Sequence, residues 1–97
     1  MPFYVYLLRC ADQSYYTGHT DDIETRIAQH QLGLTGCYTK RRRPVTLLKA
    51  EAFPSREEAL AAEMQIKGWT RSKKEAWTVN NFEALKRLSQ KPPKPNQ

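Results

Sequence analysis

Residues 3–10 (FYVYLLRC) form an apolar run rich in aromatic and β-branched types, which favours a β-strand. The turn-forming residues 11–14 (ADQS) follow, and strand-like composition resumes at residues 15–17 (YYT). A connection this short predicts a β-hairpin whose two strands run antiparallel.

The length of the hairpin loop decides which tyrosines share a face of the sheet. A three-residue loop at residues 12–14 places Tyr6 and Tyr16 on the same face, because side chains alternate along each strand. A two-residue loop without a bulge places them on opposite faces. The sequence leaves both registers open.

An amphipathic helix is predicted over residues 22–31, where Ile23 and Ile27 lie four residues apart. Asp21 is placed to cap the helix, with Glu24 closing a capping box. Gly33 is a natural residue for its end.

The rest of the chain begins with a basic loop over residues 34–43, which contains Gly36 and ends before Pro44. The elements predicted after it are a strand over residues 45–53, a helix over residues 55–67, a short helical turn over residues 72–75 and a helix over residues 81–89. The long helix starts at a Ser55–Glu58 capping box and ends at Gly68.

The element order β-β-α-β-α-α predicts an α/β (α+β) fold, with a small three-stranded antiparallel sheet flanked by helices. We expect one domain over residues 1–90, since 97 residues leave no room for a second core. The Pro-rich residues 91–97 are predicted to be a disordered tail.

The net charge of the chain says more about its possible partners than its overall composition does. Sixteen Lys and Arg against ten Asp and Glu give a net charge of +6, a balance that attracts polyanions such as DNA. The longest apolar run is too short to cross a membrane, and a cytoplasmic protein is expected. The spacing of Cys10, His19, His30 and Cys37 fits no paired-ligand zinc pattern.

Two short motifs resemble those that name the GIY-YIG nucleases. Tyr4-Val5-Tyr6 lies on the first predicted strand and Tyr16-Thr17-Gly18 on the second. Arg26, His30 and Glu63 follow at matching distances on the next helices. The resemblance spans residues 3–75 and is closest to the small stand-alone bacterial members of the family.

The resemblance implies a nuclease that hydrolyses phosphodiester bonds in DNA with a divalent metal. A structure-selective role in DNA repair or recombination is one hypothesis, and the sequence leaves the pathway open. The resemblance also implies that Tyr6 is the base or relay for water, that Tyr16 positions water or phosphate, and that Arg26 contacts the scissile phosphate. It gives Glu63 the role of ligand to Mg²⁺, for which Mn²⁺ can substitute. No small-molecule cofactor is implied. His19 and His30 occupy positions where the family often places further polar groups, and either is suited to relay a proton.

A tyrosine base has an obvious difficulty at neutral pH. With a pKa of about 10, only on the order of one phenol in a thousand is ionised at pH 7. Arg26 and a metal ion are expected to favour the phenolate, because nearby positive charge lowers the pKa of an acid.

Further residues are predicted to contact DNA. Tyr38 precedes the basic run Lys40-Arg41-Arg42-Arg43, which is suited to grip phosphates without reading sequence, and Lys67 is a further cation near Glu63. No recognition helix is evident, so low sequence specificity is expected.

Several alternatives remain open at this stage. The tyrosines fit ordinary strand packing, Arg26 fits a solvated position, and the basic run fits a solvated surface. The scaffold also suits a DNA-binding module without turnover, or an adaptor that docks a protein partner through Trp69 and Trp77. Glu63 falls within the apolar sector of its helix and therefore needs a partner.

The sequence departs from the family at one late position, where the family commonly places an asparagine. Asn80 and Asn81 lie somewhat beyond that position. Their role is left open, and Lys67 or Lys73 is a possible substitute.

Overall fold

A computed structural model of the chain describes residues 2–35 and 37–89. Its elements are β1 (Phe3–Arg9), β2 (Tyr15–Thr20), α1 (Ile23–Leu32), α2 (Cys37–Lys40), β3 (Thr46–Phe53), α3 (Arg56–Lys67), α4 (Arg71–Thr78) and α5 (Phe82–Ser89). The predicted tail over residues 91–97 and Gly36 lie outside the described residues.

The three strands form one antiparallel sheet in the order β2-β1-β3, which confirms the predicted fold class. The central strand β1 is buried on both faces, so that Val5, Tyr6, Leu7 and Leu8 are all core residues. This explains why its sequence is a continuous apolar run without the alternation of a half-exposed strand.

The hairpin loop has three residues but begins one residue earlier than predicted. The Cys10 amide donates to the Ser14 carbonyl and the Gln13 amide donates to the Cys10 carbonyl, so the loop is Ala11–Gln13. Gln13 has a φ of 71°, as the third residue of such a loop requires. Because the loop length is unchanged, Leu8 pairs with Tyr16, and Tyr6 and Tyr16 share a face.

Each face of the sheet carries its own core. The tyrosine face consists of Tyr6, Leu8, Cys10 and Val45, covered by Ile23 and Ile27 of α1. The tryptophan face consists of Val5, Leu7, Ala59, Ile66 and Trp77, and therefore includes residues of α3 and α4. The two cores lie on opposite faces of the sheet.

Local hydrogen bonds correct the predicted start of α1. Asp22, not Asp21, is the N-cap: its carboxylate accepts from the Thr25 amide at 3.1 Å and from the Thr25 hydroxyl at 2.8 Å. The threonine three residues later therefore closes the cap, rather than Glu24. Gly33 ends α1 in the left-handed conformation, with φ 72°, and this prediction is confirmed.

The structure contains one helix that was not predicted, α2, and one that is longer than predicted, α4. The basic loop contains α2, and the expected turn at residues 72–75 is the two-turn helix α4, which Thr70 caps by accepting from the Lys73 amide. The helix that begins after Ser55 is confirmed, since the Ser55 hydroxyl accepts from the Glu58 amide. Within residues 2–35 and 37–89, no helix is long and apolar enough to cross a lipid bilayer.

Candidate active site

Tyr6 and His30 meet beneath α1 on the tyrosine face. The Tyr6 hydroxyl lies 2.9 Å from Nε2 of His30, and both side chains are almost fully buried. Gly18, opposite Tyr6 on β2, makes the space for this contact: a Cβ at Gly18 would lie 2.4 Å from the Tyr6 hydroxyl oxygen. The glycine of the second half-motif is thus required by the tyrosine of the first.

A hydrogen-bond chain continues from His30 into α2. Nδ1 of His30 lies 2.8 Å from the Thr39 hydroxyl, which in turn donates to the Thr35 carbonyl at 3.3 Å. Thr39 is 0% exposed. A buried imidazole therefore has a hydrogen-bonding partner on each ring nitrogen, as buried polar groups require.

Burial sets the protonation of this pair. Burial raises the pKa of Tyr6 far above its ordinary value, with the nearby Tyr16 and Glu63 acting in the same direction and Arg26 opposing them. Burial, and then Arg26, lower the pKa of His30. Arg26 thus acts on Tyr6 in the direction expected from the sequence, but burial outweighs it, and both groups are neutral at pH 7.

Three further aromatic contacts extend this cluster to the surface. The Tyr16 ring lies 6.4 Å from that of Tyr6 and 5.1 Å from that of His30, centroid to centroid. Tyr38 stacks on Tyr16 at 6.1 Å and is 39% exposed. The guanidinium of Arg42 lies 3.9 Å from the centre of the Tyr38 ring. Tyr16 therefore connects the buried pair with an exposed aromatic ring.

Arg26 lines a cleft of about 270 Å³ at the end of β2. The lining residues are Phe3, His19, Thr20, Asp21, Arg26 and Arg56. Arg26 is half-buried and donates to the Thr35 hydroxyl at 3.1 Å, so it is not a solvated surface residue. Arg56 forms no ion pair or hydrogen bond with any residue of the described ranges. Two guanidinium groups thus flank one open cleft.

Glu63 reaches the cleft's wall from α3, on the tryptophan side of the sheet. Its Oε1 lies 3.1 Å from Nδ1 of His19, which itself lines the cleft, and its Oε2 lies 3.5 Å from Nζ of Lys67. The predicted need for a partner is thereby met. Because β2 is an edge strand, side chains from both faces approach one another at its outer side, and the charge of Glu63 is felt by Tyr6.

Glu63 is the acid that fits a metal ion best. In the described part of the chain, no three His, Cys, Asp or Glu side chains gather in a group suited to hold a metal. A single carboxylate in contact with His19, which lines the cleft, suits magnesium, because magnesium keeps several of its waters when bound. The carboxylate already accepts one cation, the Lys67 ammonium, whose side chain is half exposed and free to withdraw.

The basic run is more structural than its composition indicates. Arg42 pairs with Asp12 at 2.9 Å and donates to the Tyr38 carbonyl, while Arg43 donates to the carbonyls of Lys40 and Gln31. Arg42 therefore ties α2 to the hairpin loop, and Arg43 ties the end of α1 to that of α2. Lys40 and Arg41 are exposed and form no ion pair with other described residues.

The late asparagines and the two tryptophans lie away from Tyr6. Asn81 accepts from the Ala84 amide at the start of α5, and Asn80 accepts from the Lys49 ammonium. Trp69 and Trp77 pack edge to face at 6.2 Å, and Trp77 is 4% exposed. These residues pack the C-terminal helices, and Trp77 is not available to dock a partner.

Sequence reasoning singled out neither Arg56 nor Thr39. Arg56 follows the capping residue Ser55, a position where any residue type serves the helix. Thr39 lies in a segment predicted to be a loop, and no periodicity marks it. Both become visible only when α1, α2 and α3 are brought together around β2.

Comparisons with known proteins find a matching family model and similar chains. A family model described as the GIY-YIG catalytic domain matches residues 2–76. A UPF0213 protein of Staphylococcus haemolyticus is 48% identical over 71 residues, which are 73% of this chain and 87% of the relative. A UPF0213 protein of Haloquadratum walsbyi is 46% identical over 72 residues, 74% of this chain and 81% of the relative. The relatives thus include archaeal proteins as well as the expected bacterial ones.

Two solved structures resemble the fold. The solution NMR structure of a UPF0213 protein from Bacillus halodurans has a TM-score of 0.54 and 40% identity, and covers 94% of this chain and 100% of its own. That of a protein from E. faecalis has a TM-score of 0.59 and 35% identity, and covers 97% of this chain and 95% of its own.

Proposed function

Because the chain belongs to the GIY-YIG catalytic domain family, a nuclease family, we propose that it is a metal-dependent endonuclease that hydrolyses phosphodiester bonds in DNA. The observation that carries the proposal is the buried hydrogen bond between Tyr6 and His30. Hydrolysis needs a group that takes a proton from water, and this pair supplies one.

Tyr6 and His30 act together as a proton relay. Since the pKa of Tyr6 is raised, its phenol accepts a proton from water only as it releases its own. That proton passes to Nε2 of His30, which is neutral because its pKa is lowered. The hydroxide attacks phosphorus, and the bond to the leaving oxygen breaks as that oxygen takes a proton from solvent. The imidazolium later returns the relayed proton to solvent through Tyr6.

Arg26 and Arg56 bind the phosphates in the cleft, and Tyr16 positions the water beside Tyr6. Guanidinium groups recognise phosphate oxygens through paired hydrogen bonds and stabilise the charge that develops during phosphoryl transfer. Arg56 in particular has no intramolecular partner among the described residues, and so it can bind an anion without breaking an existing ion pair.

Glu63 is the metal ligand in this proposal, with His19 fixing its orientation. A bound Mg²⁺ would supply positive charge at the phosphoryl and leaving oxygens, and Mn²⁺ can take its place. Lys67 neutralises the carboxylate when no metal is bound and is suited to contact DNA when the metal displaces it.

DNA is held by exposed groups that do not read bases. Lys40 and Arg41 extend from the end of α2, and Tyr38 offers an exposed ring next to Tyr16. Such contacts position a duplex without sequence information, so specificity is low. A structure-selective role in DNA repair or recombination is compatible with that property.

The test is plasmid nicking in Mg²⁺ by wild type, Tyr6→Phe, Glu63→Gln and the matched control Tyr15→Phe. Tyr15 lies on the tryptophan face, where its hydroxyl contacts Glu75 at 3.3 Å. We expect Tyr6→Phe to slow nicking by about 10²–10⁴-fold, the usual contribution of a general base, Glu63→Gln to abolish metal-dependent nicking, and Tyr15→Phe to nick normally.

Equal nicking by wild type and Tyr6→Phe would contradict the relay. Salt-sensitive DNA binding by wild type, with no cleavage in any divalent metal, would instead show a binding module on the same scaffold.

A further inference from the structure

We propose that Thr39 is a positioning residue, which holds His30 in the tautomer protonated at Nδ1 and so leaves Nε2 free to receive the proton of Tyr6. Its catalytic consequence rests on the proposed function, whereas the tautomer itself does not. The proposal is carried by the buried chain of side chains from Tyr6 through His30 and Thr39 to the Thr35 carbonyl.

The donors and acceptors in this series of hydrogen bonds follow from its last member, the Thr35 carbonyl. A carbonyl oxygen only accepts hydrogen bonds, so the Thr39 hydroxyl donates to Thr35 and its oxygen accepts from Nδ1–H of His30. Nε2 then carries the lone pair and accepts from the Tyr6 hydroxyl. Every donor in the chain is thereby matched with an acceptor.

The opposite tautomer leaves a buried donor without an acceptor. If Nε2 carried the hydrogen, it would donate to the Tyr6 oxygen, and the phenol hydrogen would need a different acceptor. Within the described residues, the hydrogen bond of the Tyr6 hydroxyl is to His30, and Tyr6 is 2% exposed. An unmatched buried donor is costly, which favours the tautomer protonated at Nδ1.

The same arrangement serves the charged state of the ring. When His30 has taken the proton of Tyr6, Nδ1–H remains bonded to the Thr39 oxygen without any movement. The pair consists of Tyr6 of β1 and His30 of α1. The titratable or charged groups that face it are Tyr16 of β2 and Arg26 of α1, and Glu63 of α3 also acts on Tyr6. Both pKa shifts keep the resting pair neutral.

The basic run contributes to the position of Thr39. Arg42 donates to the Tyr38 carbonyl and Arg43 to the Lys40 carbonyl, on either side of Thr39 in α2. Arg43 also donates to the Gln31 carbonyl in the last turn of α1, the helix that contributes His30. Arg43, which the sequence assigned to DNA, thereby connects the helices that carry the two ends of the His30–Thr39 bond, and Arg42 ties α2 to Asp12 of the hairpin loop.

The experiment is ¹⁵N NMR of the His30 ring in wild type, Thr39→Val, Thr39→Ser and Thr17→Val. Valine has the shape of threonine without its hydroxyl, and serine restores the hydroxyl. Thr17 is the matched control, because it is 3% exposed and its hydroxyl has no hydrogen-bond partner among the described residues. We expect the Nδ1–H tautomer in wild type, Thr39→Ser and Thr17→Val, and its loss in Thr39→Val.

The second readout is the single-turnover rate of DNA cleavage against pH. Thr39→Val is expected to lower the maximal single-turnover rate by about 10- to 100-fold, the usual effect of losing a hydrogen bond that orients a metal-binding histidine. The DNA concentration that gives half of the maximal rate should stay unchanged, the acidic limb of the profile should move, and Thr39→Ser should restore the rate.

A wild-type His30 protonated at Nε2 would overturn the proposal even if Thr39→Val does not fold. Retention of the Nδ1–H tautomer in folded Thr39→Val would overturn it as well. If wild type cleaves no DNA, the proposed function fails while the tautomer result still decides the role of Thr39. If Thr39→Val loses the tautomer but cleaves at the wild-type rate, the catalytic consequence is refuted.

Discussion

The two faces of the sheet share strand β1 but are held together by different interactions. On the tryptophan face, Val5 and Leu7 pack against Ala59, Ile66 and Trp77, and that core is almost purely apolar. On the tyrosine face, the neighbouring residue Tyr6 is hydrogen-bonded to His30 beneath α1. Alternation of side chains along β1 therefore places an apolar core on one face and a hydrogen-bonded polar pair on the other.

The difference shows how a chain this small keeps a polar site buried. A buried phenol and imidazole cost free energy unless each polar atom is bonded, and Thr39 and Tyr6 meet that need for His30. The tryptophan face contributes hydrophobic burial that does not depend on this matching. Changes to the apolar core residues of the tryptophan face should therefore affect stability, whereas changes to the Tyr6–His30 pair should also affect catalysis.

The largest expected effect comes from Trp77→Ala on the tryptophan face. Removing a 4% exposed indole that packs on Trp69 should lower the free energy of unfolding by about 3–5 kcal/mol, measured by urea denaturation. The cleavage rate per folded molecule, measured where the variant is still folded, should match wild type. Trp77→Phe is the control and should lose much less.

A Trp77→Ala variant that stays folded yet cleaves far more slowly would contradict the expectation that Trp77 affects stability alone. It would show that α4 supports the site directly, and not only through the stability of the sheet.

Gly18→Ala is expected to have the opposite effect to Trp77→Ala, with a smaller loss of stability and a large loss of cleavage activity. The new Cβ would overlap the Tyr6 hydroxyl, which is held by His30 and has little room to move. Overpacking of this kind costs about 1–3 kcal/mol of stability, and displacement of the hydroxyl should remove most of the cleavage activity. Stability is measured by urea denaturation and activity by plasmid nicking.

Gly68→Ala is the matched control for this substitution, because the nearest atom to its added Cβ is the Gln65 carbonyl oxygen at an ordinary 3.5 Å. A Gly18→Ala variant that cleaves like wild type would mean that the Tyr6–His30 contact is not needed for turnover.

The fold class, and the elements on which the candidate residues lie, could be predicted because both depend on local signals. Turn residues set the hairpin, Ser55 and Gly33 marked helix ends, and the apolar sector around Glu63 showed that this acid needs a partner. The partner itself, His19, lies 44 residues away and followed only from the packing of α3 against the edge of β2.

Three features could not be predicted, because each depends on contacts in the folded chain that no local sequence pattern marks. The helix α2 is four residues long, too short for any apolar period to mark it, and Thr39 in it is recognised only by its distance to His30. Arg56 owes its place in the cleft to the approach of α3 to Arg26. Arg42 and Arg43 belong to a charge run whose composition says nothing about intramolecular partners.

The smallest expected effect is on the salt dependence of DNA binding by Arg56→Ala. If Arg56 binds one phosphate in the cleft, its loss should make the slope of log K against log salt less steep by about 0.9 and weaken binding to all sequences alike. The comparison variant is Arg87→Ala, which removes the same charge from α5, a helix that packs on α4. Arg87→Ala lowers the overall charge equally, so it should shift affinity slightly and leave the slope unchanged. Equal slopes in the two variants would assign the effect of Arg56 to net charge and not to the cleft. The DNA phosphates next to the one bound by Arg26 would then have to contact a different part of the surface.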